Sequence, residues 1–212
     1  PEHIRLAYLP SFGMVRLRLT GFGNDKDLIA KEVEEQINQV LPIIDKYVYG
    51  FDDEDLAQAV GKLLVSQNKT IALAESCTGG FLAHCFTQHS GSSEYLKGSL
   101  VAYSNDIKIN VLGVRPETIE QHGAVSEQTV LQMAENVRKL FKTDVGIATS
   151  GIAGPLGATK DKPVGTIWVA YSDENETVAK LYQLGTDRMV NIQVTSNLLI
   201  DWVRRKQGGR AK

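Results

Sequence analysis

This chain of 212 residues is short of cysteine, of positive charge in excess and of long apolar runs, and each shortage closes off a class of function. The two cysteines, Cys77 and Cys85, form neither a disulfide framework nor a metal-ligand set. The four histidines (His3, His84, His89 and His122) lack the spacing of a zinc site, so no metal is expected. A net charge of −2 supplies no whole-molecule field for nucleic acid or for an anionic membrane. Nothing approaches the ~18 consecutive apolar residues of a membrane span, and no secretory pattern opens the chain. A cytoplasmic setting is the expectation. The chain also opens on Pro1 rather than Met, with strand-like residues at once, which reads as a fragment whose amino-terminal portion has been removed.

What is present is an ordinary globular composition, 42% apolar and 23% charged, with length enough for one sizeable core and a small appendage. Residues 4–9 and 13–20 read as strands joined by a turn at Pro10-Ser11-Phe12-Gly13. In the second, Val15, Leu17 and Leu19 alternate with Arg16, Arg18 and Thr20. Leu28, Ile29, Val33, Ile37 and Val40 give a helix its apolar stripe, and Tyr47-Val48-Tyr49 reads as a short third strand. This β-β-α-β unit, residues 1–51, is small to stand alone and is expected as an accessory domain. Over residues 52–206, helices at 56–65, 79–89, 106–112, 116–122, 126–142 and 187–205 interleave with strands at 70–76, 99–104, 145–149, 165–172 and 177–184. The expected fold is α/β: a three-layer α/β/α domain whose sheet is mixed, because the close pair at 165–184 reads as a hairpin. Residues 207–212, with Arg210 and Lys212, read as a solvated basic tail.

Ala74-Glu75-Ser76-Cys77-Thr78-Gly79-Gly80 ends an apolar run and opens a helix. Such a turn gathers a nucleophile, free backbone N–H groups and the positive end of a helix dipole, which suits attack on a carbonyl. It equally suits plain helix–sheet packing, so context decides. Tyr103 is placed at the end of the next strand and Lys108 one turn into the helix after it. A lysine near pKa 10.4 is a poor base at neutral pH; burial lowering it by about three units would change that, whereas a surface lysine would stay charged. Thr149-Ser150-Gly151-Ile152-Ala153-Gly154-Pro155 and Lys162-Pro163-Val164-Gly165-Thr166 gather at the same sheet edge, where open α/β sheets hold ligands. Gly185-Thr186-Asp187-Arg188 reads either as a phosphate-binding helix start or as a plain cap. Cys77 rivals Ser76 as nucleophile, and strand neighbours point to opposite faces, so the site receives one and the core the other.

Together, Ala74–Gly80, Tyr103-Ser104-Asn105 with Lys108, His122-Gly123-Ala124-Val125-Ser126, Ser150–Pro155 and Lys162–Thr166 stand in an order that resembles the carboxy-terminal domain of the CinA competence/damage-inducible family, the nicotinamide-nucleotide amidases. The resemblance covers about residues 53–205. Residues 1–50 resemble the KH-type linking domain of full-length members, whose amino-terminal nucleotide-binding domain has no counterpart here. The resemblance implies hydrolysis of the carboxamide of nicotinamide mononucleotide to nicotinate mononucleotide and ammonia, with no metal and no cofactor. It implies Ser76 as nucleophile, Lys108 as general base and Tyr103 as an assistant in proton transfer or orientation, with Cys77 left as a core residue. Thr78, Gly79, Gly80, Ser150, Gly151 and Arg188 are expected to bind substrate, the Thr78 and Gly79 N–H groups as the oxyanion hole. A homodimer is implied. The competing readings are a nucleotide-binding or interaction module without turnover, and nucleic-acid binding by residues 1–52. The complete Ser76–Tyr103–Lys108 set disfavours the first. Six basic against eight acidic groups, and no Gly-x-x-Gly loop, disfavour the second.

Overall fold

The structure, a computed structural model, describes residues 1–209; Arg210 and Lys212 of the expected basic tail lie outside the described residues. Strands β1 (Ile4–Ser11) and β2 (Met14–Gly21) form an antiparallel hairpin, and helix α1 (Lys26–Ile44) lies against β2. Asp25 caps α1 by accepting from the Asp27 and Leu28 N–H groups. The third strand expected at 47–49 does not form. Asp45–Tyr47 is a single 3-10 turn, and the Lys46 and Val48 carbonyls accept instead from the Arg204 guanidinium, at 2.9 and 3.2 Å. A strand edge cannot be built from carbonyls already taken elsewhere.

The main domain follows as α2 (Leu56–Ser66), β3 (Ile71–Glu75), α3 (Phe81–Thr87), β4 (Leu96–Val101), α4 (Asn105–Asn110), α5 (Pro116–His122), α6 (Glu127–Phe141), β5 (Val145–Gly151), β6 (Thr166–Ser172), β7 (Thr177–Gln183) and α7 (Arg188–Lys206). The strand order is β4-β3-β5-β6-β7, with β3 parallel to β4 and β5, and β6 antiparallel to both its neighbours. The sheet is mixed, with helices on both faces, as expected. Strand β4 stops at Val101 rather than at 104. The Ala102 N–H turns back to the Leu100 carbonyl at 3.1 Å, so Tyr103 lies beyond the strand.

Alternation along β3 divides the interior in two. Ile71 and Leu73 pack with Val60 and Leu64 of α2, Leu82 and Phe86 of α3, and Leu199 and Val203 of α7. Ala72 and Ala74 pack on the other face with Leu112 and with Val130, Met133 and Val137 of α6. Each such large side chain contributes about 1.5–3 kcal/mol by leaving water. The chain steps from β3 out to β4 and then back past β3 to β5. Right-handed crossovers therefore put α3 on one face and α4–α6 on the other. Loops leaving neighbouring strands for opposite faces part above their carboxyl ends, and the crevice lies between β3 and β4. Among the described residues no helix is long and apolar enough to cross a membrane.

Candidate active site

Ser76 follows directly on β3, and its N–H donates to the Thr149 carbonyl of β5 at 3.0 Å, which carries the strand pairing one residue past the sheet. Its side chain points to the α6 face of the crevice. There Lys108, 32 residues on, brings Nζ to 3.0 Å from Ser76 Oγ. Lys108 is 1% exposed, and its ammonium also meets the Ala102 and Tyr103 carbonyls at 2.7 and 3.2 Å. The kink after β4 supplies both carbonyls. No carboxylate pairs with this amine among the described residues, and burial holds its pKa below the ordinary lysine value. Three contacts suit either protonation state. A charged ammonium donates to all three oxygens; a neutral amine keeps its two N–H groups on the carbonyls and turns its lone pair to the serine hydroxyl.

The neighbours of Ser76 serve the scaffold. The N-cap of α3 is Gly80, at φ +102°, which has no side chain to cap with, and Glu75 replaces one from the strand. Its buried carboxylate accepts from the N–H groups of Gly80, Leu82 and Ala83 at 2.9, 3.1 and 2.8 Å, and from the Thr78 and Ser99 hydroxyls. The positive end of α3 is thereby neutralised on the face away from Ser76, so it is not available to a ligand there. Glu75 is equally spent and is no general base. Gly79 N–H is engaged by the Ser76 carbonyl at 3.2 Å. Of the N–H groups expected to hold an oxyanion, that of Thr78 alone has no acceptor among the described residues. Cys77 is buried against Thr149, and burial pushes its thiol up to about 12, so it stays protonated at neutral pH.

The remaining expected residues lie on the loops and elements around this pair. Tyr103 is 59% exposed, and its hydroxyl accepts from Arg188 Nη2 at 3.0 Å while Arg188 Nη1 donates to the Gly154 carbonyl at 2.8 Å. Tyr103 thus meets Lys108 through its carbonyl rather than its hydroxyl. Asp187 caps α7 by accepting from Val190 N–H, which places a carboxylate at the helix start considered for phosphate. Ser150 is fully buried and donates to the Ala124 carbonyl at 2.6 Å, and Gly151 pairs with Ile167 at the end of β5.

A family model, the CinA C-terminal domain, matches residues 53–206. The chain belongs to the CinA family. It is 52% identical over 206 residues to a CinA-like protein of Cytophaga hutchinsonii, covering 97% of this chain and 49% of that protein. It is 42% identical over 210 residues to a CinA-like protein of Salinibacter ruber, covering 96% and 49%. The chain therefore spans about half the length of the curated relatives it matches. Among solved structures, the competence/damage inducible protein CihA of Agrobacterium tumefaciens superposes with a TM-score of 0.70 at 32% identity, covering 74% of this chain and 97% of that one. A CinA superfamily protein of Klebsiella pneumoniae does so with a TM-score of 0.70 at 30% identity, covering 72% and 96%.

Three features of this CinA domain escape a reading of its sequence. The Ala102 carbonyl on Lys108 depends on where β4 ends, and an apolar run from 100 to 103 hides that point. Glu75 caps a helix that starts six residues later, outside the usual cap spacing. Asn191, fully buried, donates to the Ala153 and Gly185 carbonyls at 2.9 Å each and so ties α7 to the loop after β5. An asparagine one turn into a helix carries no such signal.

Proposed function

We propose that this CinA-family domain is an amidase that hydrolyses the carboxamide of nicotinamide mononucleotide to nicotinate mononucleotide and ammonia. The observation that supports it most directly is the 3.0 Å approach of Lys108 Nζ to Ser76 Oγ, with the amine buried and its pKa lowered. Neutral Lys108 takes the proton of the Ser76 hydroxyl as the oxygen attacks the carboxamide carbon. The C–O bond forms as the carbonyl π pair moves to its oxygen, and the Thr78 N–H supports the negative charge. The tetrahedral adduct collapses, Lys108 returns its proton to the departing nitrogen, and ammonia leaves an acyl ester on Ser76. Water then attacks the ester with Lys108 again as base, releasing the carboxylate and restoring the hydroxyl. The Ala102 and Tyr103 carbonyls hold the amine through both stages without a carboxylate that would keep it charged.

Ammonia release from nicotinamide mononucleotide by the purified protein is the test. Ser76→Ala is expected to lower it by at least about a thousandfold, whereas Cys77→Ala retains most of it. No ammonia from the unaltered protein, or a dead Cys77→Ala beside an active Ser76→Ala, would overturn the proposal.

A further inference from the structure

Two sequence motifs have no part in the Ser76–Lys108 chemistry: His122–Ser126, and the Lys162–Thr166 segment that leads into β6. The structure joins them. Three consecutive carbonyls of the first motif are each held by a side chain. His122 O accepts from Lys162 Nζ at 2.9 Å, Gly123 O from Ser126 Oγ and Thr129 Oγ1 at 2.8 Å each, and Ala124 O from Ser150 Oγ at 2.6 Å. A strap so anchored offers the Lys162 ammonium a backbone acceptor in a set place. Gly123 takes φ +79°, and a β-carbon there would lie 3.3 Å from Lys162 Nζ, so glycine suits both this backbone and the approach of the amine.

The charge on Lys162 is uncompensated. It forms no ion pair among the described residues, and the backbone carbonyl of His122 occupies one of its three donors. Arg188 differs, since its directed donors rest on Gly154 and Tyr103 and the Asp187 carboxylate begins the same helix. Lys162 also sits at a useful remove. Ser76 and Ser150 each stand one residue past the Glu75–Thr149 pair of β3 and β5, and the Ser76 N–H bond to the Thr149 carbonyl continues that register, which sets their backbones about 5 Å apart. From Ser150 the contacts run to Ala124, back along the strap to His122, and on to the amine. That path puts Lys162 Nζ on the order of 10–15 Å from the Ser76 hydroxyl.

We propose that Lys162 is the anion-recognising end of the site and takes the phosphate of a mononucleotide whose carboxamide lies at Ser76. This rests on the amidase reading for its far end. An aromatic ring, a ribose and a phosphoester in series bridge a gap of that length, and lysine binds phosphate as a point charge. The strap sets where the charge stands, through Ser150 on one side and Gly123 on the other.

The test is binding to the Ser76→Ala protein, where no turnover intervenes, by titration calorimetry with nicotinamide mononucleotide and with nicotinamide riboside. Adding Lys162→Met is expected to weaken the mononucleotide roughly tenfold or more and the riboside less than twofold. Raising the salt should weaken the mononucleotide in the Lys162 protein more than in the Met variant. Lys162→Gln keeps one donor for His122 O and should behave like Met, which covers the case in which Met fails to fold. Equal weakening of both ligands would make Lys162 a strap anchor only and sink the proposal. So would unchanged mononucleotide binding, binding of neither ligand, or a phosphate preference that disappears with Arg188→Met instead. Selective binding without ammonia release would remove the amidase reading and leave this one standing; ammonia release with no phosphate preference would do the reverse.

Discussion

No residue before Leu56 is buried, while the sheet domain encloses two separate cores on either side of β3. The two regions differ less in composition than in what each apolar side chain finds to touch. The hairpin and α1 have one internal seam, Ile29 and Val33 seated on Gly21, and leave Leu6, Tyr8 and Val15 in solvent. A two-stranded ribbon with one helix cannot enclose a side chain on every side. Its order comes from outside itself. Asn197 donates to the Phe12 carbonyl at 2.8 Å, Gly13 rests on Val194, and Arg204 grips Lys46 and Val48. All four attachments are made to α7, whose first turn also carries Arg188. Burial in the large domain is deep enough to hold an unpaired lysine; in the small one it does not close over a leucine.

The largest effect should come from removing that lysine. Lys108→Met is expected to lower the proposed amidase turnover by roughly 10²- to 10⁴-fold, the usual contribution of a positioned general base. The same change should alter how stability depends on pH. The folded-state pKa of Lys108 is depressed by burial, so between that value and the unfolded value near 10.4 the unfolded chain holds more protons. Stability of the unaltered protein therefore rises with pH across this window, and the cost of the buried charge is fully present below it. Met carries no such cost. The unfolding free energy of Lys108→Met relative to the unaltered protein should be most favourable near neutrality and fall steadily toward pH 10. Turnover of the unaltered protein should itself climb with pH, on a limb below 10.4. Denaturation at several pH values together with a rate profile checks both; a difference independent of pH would mean that the amine is not desolvated.

A truncation in the shared core comes next. Leu73 is fully buried at the centre of β3, and Leu73→Ala should cost about 2–5 kcal/mol from lost transfer energy and a cavity that the sheet cannot collapse into. Chemical denaturation reads this directly.

Arg204 tests the joint between the regions. It is 2% exposed, lies beside Asp201 and supplies the Lys46, Val48 and Gly209 carbonyls. Arg204→Met should cost about 2 kcal/mol by leaving those oxygens without donors. Its more telling signature is local. Hydrogen exchange in β1 and β2 should quicken while β3 and β5 stay protected, because the small unit loses a clamp and the large one loses no core. Uniform acceleration across both regions would show that they unfold as one body.

The difference between the regions also governs how much could be read from sequence. In the sheet domain apolar runs bounded by glycine turns mark β3 and β5, and Ser76 stands out as a hydroxyl at a strand tip, although such a turn by itself suits plain packing equally well. Lys108 is legible as the partner of Ser76 through the family resemblance and not from local pattern, since only the crossover brings positions 32 apart to 3.0 Å. The proposed oxyanion donors are legible only in part. The sequence displays Gly79 and Gly80 beside Thr78, but Ser76 and Glu75 have already taken the glycine N–H groups. Tyr47-Val48-Tyr49 has the composition of a strand, and nothing local reveals that Arg204, more than 150 residues away, takes the carbonyls of Val48 and of the preceding Lys46. Local pattern suffices where burial repeats along an element and fails where one distant side chain decides the outcome.

The smallest effect is expected at the hairpin surface, where the comparison is sharpest. Leu6 is 47% exposed, on the β1 side that α1 leaves uncovered. The chemical change in Leu6→Ala is the one made in Leu73→Ala, so any difference in cost comes from surroundings alone. A half-exposed side chain has given up little contact with water and leaves no enclosed cavity when shortened, which puts the cost below about 0.5 kcal/mol. The proposed amidase turnover should stay within about twofold, because among the described residues β1 makes no hydrogen bond to Ser76, Lys108 or the strap, and the Ser76 turn is held from within the sheet. Paired denaturation curves of the two alanine variants measure the contrast. A cost at Leu6 approaching that at Leu73 would mean that something covers this face in solution, and the hairpin would then have to be reckoned part of a larger packed unit.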